Sequence, residues 1–137
     1  TRYRGRTIWF LLTCRPDLLP VDLKRQGRCE EHIPLFYPET DEDRAAMFLA
    51  MGKKLGLGLK SDHVPSIGQG VELSGADIES LLTRVQREIL VHKKPLDQTI
   101  IADVLKNFRS PRSSEHELQI LAAIMECSDR PYLTSGI

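Results

Sequence analysis

The chain has 137 residues, with 19 Lys and Arg set against 19 Asp and Glu. That length suits one ordinary domain, or a small domain with part of another, and a formal charge of +0 gives no general pull toward nucleic acid or a membrane surface. No apolar run approaches the ~18 residues of a membrane-spanning helix, and the N-terminal run Ile8–Leu12 is shorter than the ~7–15 residues of a signal-peptide core. Three cysteines without dense spacing fit reduced thiols, which places the chain in the cytoplasm.

Thr1–Arg6 is basic and reads as a solvated approach to the first element. Thr7–Thr13 is predicted to be a strand, because β-formers on successive positions mark burial on both faces, as in a parallel sheet. Pro16 pushes Arg15 out of the helical region and turns the chain. A short helix is expected over about 18–25, followed by Gly27 and a second apolar-leaning run, Cys29–Phe36. Arg25 and Arg28 bracket the Gln26–Gly27 turn, where a glycine lets the backbone bend and leave both guanidinium groups on one exposed edge. Their plain alternative is surface pairing with Asp22 or Glu30, which contributes little. A buried parallel strand needs neighbours on both sides, and only one other strand candidate exists, so the sequence reads as the C-terminal piece of a longer protein. Cys29 and His32 have the spacing of half a zinc set, but no second close pair accompanies them or Cys14, so no metal site is expected.

Tyr37–Thr40 reads as a hinge into a helical domain. Thr40, with Asp43 three residues on and acids at Asp41 and Glu42, caps a helix over about 41–55. Its apolar stripe is expected at Ala46, Met47, Ala50 and Met51, widened by Phe48, Leu49 and Leu55. Residues 56–70 form a Gly- and Pro-rich loop with a short helical turn within 61–67. Ser74 caps a long helix over 75–92, with Ile78, Leu81, Leu82, Val85, Ile89 and Leu90 at helical spacing. Two more helices are expected, one over 98–108 carrying Ile100, Ile101, Val104, Leu105 and Phe108, and one over 114–127 carrying Leu118, Leu121, Ala122, Ile124 and Met125. Arg109–Ser114 between them reads as a solvated basic turn, and the tail 129–137 as loose.

Three segments carry a resemblance: Thr13-Cys14-Arg15-Pro16-Asp17, then Leu23-Lys24-Arg25-Gln26-Gly27-Arg28, and downstream Leu73-Ser74-Gly75-Ala76-Asp77-Ile78. In this order they resemble the second region of homology and the lid-helix start of AAA ATPases, a likeness that runs from Arg6 to about Glu126. It implies a mainly α chain with a small α/β piece. Residues 1–37 would be a truncated nucleotide-binding core, and 38–137 a four-helix lid bundle. Arg25 and Arg28 occupy the family's arginine-finger positions, which point into the nucleotide site of the next subunit. Cys14 stands where the family carries an Asn that holds the attacking water, and a thiol is a weaker partner than an amide; its other reading is a small buried residue at a strand end. Met47 matches an apolar position beside the adenine. Met51 falls where many members have a His on the sugar. Both also fit a helix–helix core. Gly75 and Ala76 match small residues that admit a base or ribose, or simply begin a capped helix.

The implied cofactor is ATP with Mg. However, no G-x-x-x-x-G-K-[ST] loop and no apolar run ending in Asp-Glu occurs in the chain. The chain alone is therefore expected to bind nucleotide weakly and not to hydrolyse it. The implied partners are further copies in a ring of six and a protein substrate, without membrane and without the basic groove that nucleic acid needs. The alternative is a helical adaptor or protein-interaction module with a degenerate nucleotide site, which Cys14 and Met51 favour. A clamp-loader or initiator-type ATPase acting on DNA has less support.

Overall fold

The structure, a computed structural model, describes residues 5–68, 71–111 and 114–133. The expectations for the basic residues 1–4, for 69–70 in the Gly-rich loop, for 112–113 in the basic turn and for 134–137 in the tail lie outside the described residues. Among those described, the chain is mainly helical and has no strand. The helices are α1 (Val21–Lys24), α2 (Asp41–Leu55), α3 (Gly75–His92), α4 (Gln98–Asn107) and α5 (Ser114–Met125), with single 3-10 turns at Pro16–Leu18, Ser61–His63 and Arg130–Tyr132. The chain divides into two compact units. One takes in 37–111 and the other joins 5–36 to 114–133.

In the 37–111 unit, α2 packs on α3 and α3 on α4. Each helix starts on a side-chain cap. Thr40 Oγ1 accepts the Asp43 N–H at 3.1 Å, Ser74 Oγ accepts the Asp77 N–H at 3.1 Å, and Asp97 Oδ1 accepts the Ile100 N–H at 2.9 Å. Such caps satisfy donors that the first helical turn leaves free. α2 ends at Gly56, whose φ of +69° is the left-handed conformation that glycine adopts without strain. The core cluster is Phe48, Leu73, Ile78, Leu81, Leu82, Val85, Ile100 and Ile101.

Two expectations for the helix faces are corrected. On α2 the buried line is Arg44, Phe48 and Gly52, while Ala46 and Ala50 are exposed. Gly52 explains this choice of face: a Cβ there would stand 2.9 Å from Leu59 Cβ, so the chain after α2 folds back over that ridge. On α3, Leu90 is 72% exposed, one step round the helix from the half-buried Ile89.

Arg44 is 3% exposed although it lies in the first turns of α2. Its Nη1 donates to the Glu39 carbonyl at 2.9 Å, and its Nη2 donates to Asp41 Oδ1 at 2.8 Å and the Gly68 carbonyl at 3.0 Å. Ser66 Oγ donates to the other oxygen of Asp41. A cation is thus tolerated in the interior because charge and carbonyl acceptors surround it. The Ser66 hydroxyl, and then the Arg44 guanidinium, hold the Asp41 carboxyl below the usual carboxylate range. A carboxyl lowered on folding stabilises above its unfolded range, and that contribution disappears as pH falls through its folded value. Ser66→Ala is expected to raise the Asp41 titration and to move the acid loss of stability to higher pH. Carboxyl NMR and thermal scans from about pH 5 downward read both effects; an unmoved Asp41 titration would refute the role given to Ser66.

The other unit differs in kind. α5 packs on the 3-10 turn Pro16–Leu18, and among the described residues Ala122 is the unit's one buried hydrophobic. The predicted strand Thr7–Thr13 makes no ladder, and Ile8, Trp9, Phe10, Leu11 and Leu12 are 54–90% exposed. A strand exists through hydrogen bonds to a neighbour, and among the described residues none forms a ladder with it. Cys29–Phe36 likewise forms no ladder. The α/β piece expected at 1–37 is therefore replaced, in the described residues, by short helical turns and irregular chain. The expected helix at 18–25 is split at Pro20, which caps α1 and keeps Leu19 extended (ψ 142°).

Candidate functional site

The residues singled out from the sequence fall in two places, one in each unit. Met47 and Met51 lie four residues apart on α2, so they share a face. That face meets the start of α3. A Cβ on Gly75 would stand 3.4 Å from Met51 Cε and 3.8 Å from Met47 Sδ. Three of the four residues assigned to the nucleoside are therefore side by side, and the fourth, Ala76, follows in an exposed position. Both methionines are half-buried against the core cluster, so they also serve as packing groups.

The α3 N-terminus is rigidly built. The Ser74 N–H donates to Asp77 Oδ2 at 2.9 Å, reciprocating the cap, and Ser110 Oγ donates to Asp77 Oδ1 at 2.8 Å. A carboxylate in the first turn already answers the positive end of the helix dipole. A second anion there would meet its repulsion. Soft thioethers, a glycine and an alanine instead leave this place uncharged, which is chemically compatible with a heteroaromatic ring. This donor set fits a purine base and does not fit a polyphosphate.

The arginine turn lies in the other unit. Gly27 has a φ of +84° and its N–H donates to the Glu30 carboxylate. The Arg28 N–H donates to the Arg25 carbonyl at 3.2 Å, and the Cys29 N–H to the Leu23 carbonyl at 3.1 Å. Glycine in the left-handed region thus lets both arginines leave the turn outward. Both are exposed, and both are tethered by Asp22. Arg25 Nη1 is 3.4 Å from the Asp22 carboxylate, and Arg28 Nη1 donates to the Asp22 carbonyl at 2.9 Å.

Cys14 is exposed, which corrects its reading as a small buried residue; without a sheet there is no strand end to bury it. Beside it Arg15 grips Asp17 through two hydrogen bonds of 3.0 and 2.8 Å, which hold the Asp17 carboxyl below its usual range.

Two residues stand out that the sequence reading passed over. Arg44 is one, and its burial depends on a loop twenty-four residues away. The other is His32, considered only as half a zinc pair. Its ring bonds two backbone carbonyls, those of Cys29 and Glu126.

Compared with family models, curated proteins and solved structures, the chain matches none. Among the described residues, no helix is long and apolar enough to cross a membrane.

Proposed function

We propose that this chain supplies the base-facing helical lid and the neighbour-facing arginine pair of an AAA-type ATPase, which works as an oligomer on a macromolecular substrate. The observation that supports it most is the convergence of Met47, Met51 and Gly75, on two different helices, within van der Waals reach. The resemblance assigns Met47 to the base, Met51 to the sugar and Gly75 to either, and side-by-side placement is what one nucleoside shared among them would require. ATP, when bound, supplies a transferable γ-phosphoryl group whose loss drives the lid. Met47 would face the base and Met51 the sugar, with Gly75 letting both methionines lie close to the start of α3 and Ala76 adding a small exposed side chain beside them. Arg25 and Arg28 would bring fixed positive charge to the phosphates held by a neighbouring subunit. With no phosphate loop in this sequence, the phosphates and Mg need other residues, and this chain alone is expected not to turn ATP over.

The three methionines give a direct test. With the methyl groups labelled, titration with ADP is expected to shift Met47 and Met51 together with the Gly75 and Ala76 amides. Met125, 77% exposed on α5, serves as internal control. Shifts of Met125 alone, or none at millimolar nucleotide, would end the base-lid reading.

A second reading, a helical adaptor without a working nucleotide site, is favoured by the run Ile8–Leu12, which is apolar and exposed. It requires the methionine shifts to be absent while the chain still captures a protein partner through that run.

A further inference from the structure

With almost no buried apolar side chain, the unit built from 5–36 and 114–133 depends on polar contacts, and His32 is at their centre. Its N–H donates to Ser128 Oγ at 2.9 Å, and the Ser128 N–H donates to the His32 carbonyl at 3.3 Å. Its ring reaches the Glu126 carbonyl from Nδ1 at 2.8 Å and the Cys29 carbonyl from Nε2 at 2.9 Å. A backbone carbonyl accepts and never donates. A neutral imidazole has one N–H and one lone pair, so one of these two contacts would set lone pair against lone pair. Only the doubly protonated ring donates to both.

We propose that His32 is a proton-operated clamp, closed when both ring nitrogens carry hydrogen, that fastens the segment after the arginine turn to the C-terminal turn of α5. The Glu126 carbonyl lies just past the last residue of α5, at the negative end of the helix dipole. The segment carrying His32 also holds Cys29, Glu30 and Glu31. The turn after α5 holds Glu126, Cys127, Asp129 and Arg130, and α1 holds Asp22 and Lys24. Several of these are already engaged: Glu126 by Lys24 at 2.9 Å, Glu31 by the Tyr132 hydroxyl at 2.6 Å, and Glu30 by the Gly27 N–H.

A proton held by the folded unit stabilises it at low pH, and the stabilisation is lost as pH rises and the ring discharges. The test therefore spans the range from about pH 5 to pH 8 in which imidazoles in general change charge. The clamp needs no nucleotide and stands apart from the ATPase reading.

NMR of the chain tests it. An imidazolium N–H open to water exchanges too fast to be seen, whereas a bonded one persists. Two ring N–H signals from His32 are expected at about pH 5.5 and no more than one at about pH 8.5. Over the same range, amide protection at His32 and Ser128, corrected for intrinsic exchange, is expected to fall about ten-fold, the worth of one lost hydrogen bond. In His32→Gln that pH dependence should vanish. Failure to see both ring signals at the acid end overturns the clamp, and so does a protection profile in His32→Gln that still follows pH. The ring signals need only the natural chain, so they decide the matter even where the variant fails to fold.

Discussion

Phe48→Ala is expected to destabilise the 37–111 unit by about 3–5 kcal/mol. Phe48 is fully buried, and it is the only fully buried large side chain on α2. The same helix offers the core just Met47, Met51 and Leu55 besides, all of them half-buried. Deleting the ring removes the transfer energy of a large apolar group and opens a cavity in the core cluster, where α2 packs on α3. For a unit this small, each kcal/mol moves the melting temperature by about 4–8 °C, so a drop of at least about 12 °C follows. Thermal unfolding followed by circular dichroism measures it. Phe48→Leu, which keeps most of the volume, should cost less than half as much. A loss below about 1 kcal/mol for the alanine variant would mean that the Arg44 network, not the ring, anchors α2.

That contrast marks where the sequence was readable. The ends of α2 and α3 follow from short-range chemistry: Thr40 and Ser74 are caps with an acid three residues on, and Gly56 takes the left-handed turn that stops α2. The face of α3 follows from spacing, since Ile78, Leu81, Leu82 and Val85 are all fully buried. The shared face of Met47 and Met51 follows from their spacing on one helix, but that this face meets Gly75 depends on how α2 packs on α3, which spacing does not show.

The failures are non-local. Nothing near Arg44 announces burial, because its acceptors include the Gly68 carbonyl, brought in by the return of the loop. The pattern of Thr7–Thr13 registers a segment that can be buried, but a ladder depends on what lies alongside it, and among the described residues no strand does. α5 is the intermediate case. Of its expected apolar positions Ala122 is buried and Ile124 half-buried, while Leu118, Leu121 and Met125 are 47–77% exposed. Spacing reveals a face, and burial depends on the neighbour that covers it.

The largest effect expected on activity concerns Arg25 and Arg28, and it rests on the proposed ATPase reading. In an assembly whose neighbouring subunit holds ATP on a phosphate loop, Arg25→Ala or Arg28→Ala should reduce turnover about 10³-fold or more while leaving nucleotide affinity nearly unchanged. The two magnitudes involved decide whether the residues are available for that role. The Arg25–Asp22 pair is 3.4 Å long with its side chains 70% and 68% exposed. Such a pair is worth about 1 kcal/mol at most. A 10³-fold effect corresponds to about 4 kcal/mol, so the pull of a phosphoryl group in transition exceeds the tether. Asp22 therefore acts as a weak rest position for both guanidinium groups. Asp22→Ala removes the carboxylate that holds Arg25 and keeps the backbone carbonyl that Arg28 uses. Turnover in that variant should stay within about three-fold of the natural protein, since a tether this weak restrains little. The two arginine variants and Asp22→Ala together separate the possibilities. A large loss for the arginines with little change for Asp22→Ala fits charge delivered to a neighbour. Turnover that survives both arginine exchanges, measured as phosphate release at saturating ATP, would leave the pair as surface charges held by α1 and would withdraw the trans-acting role.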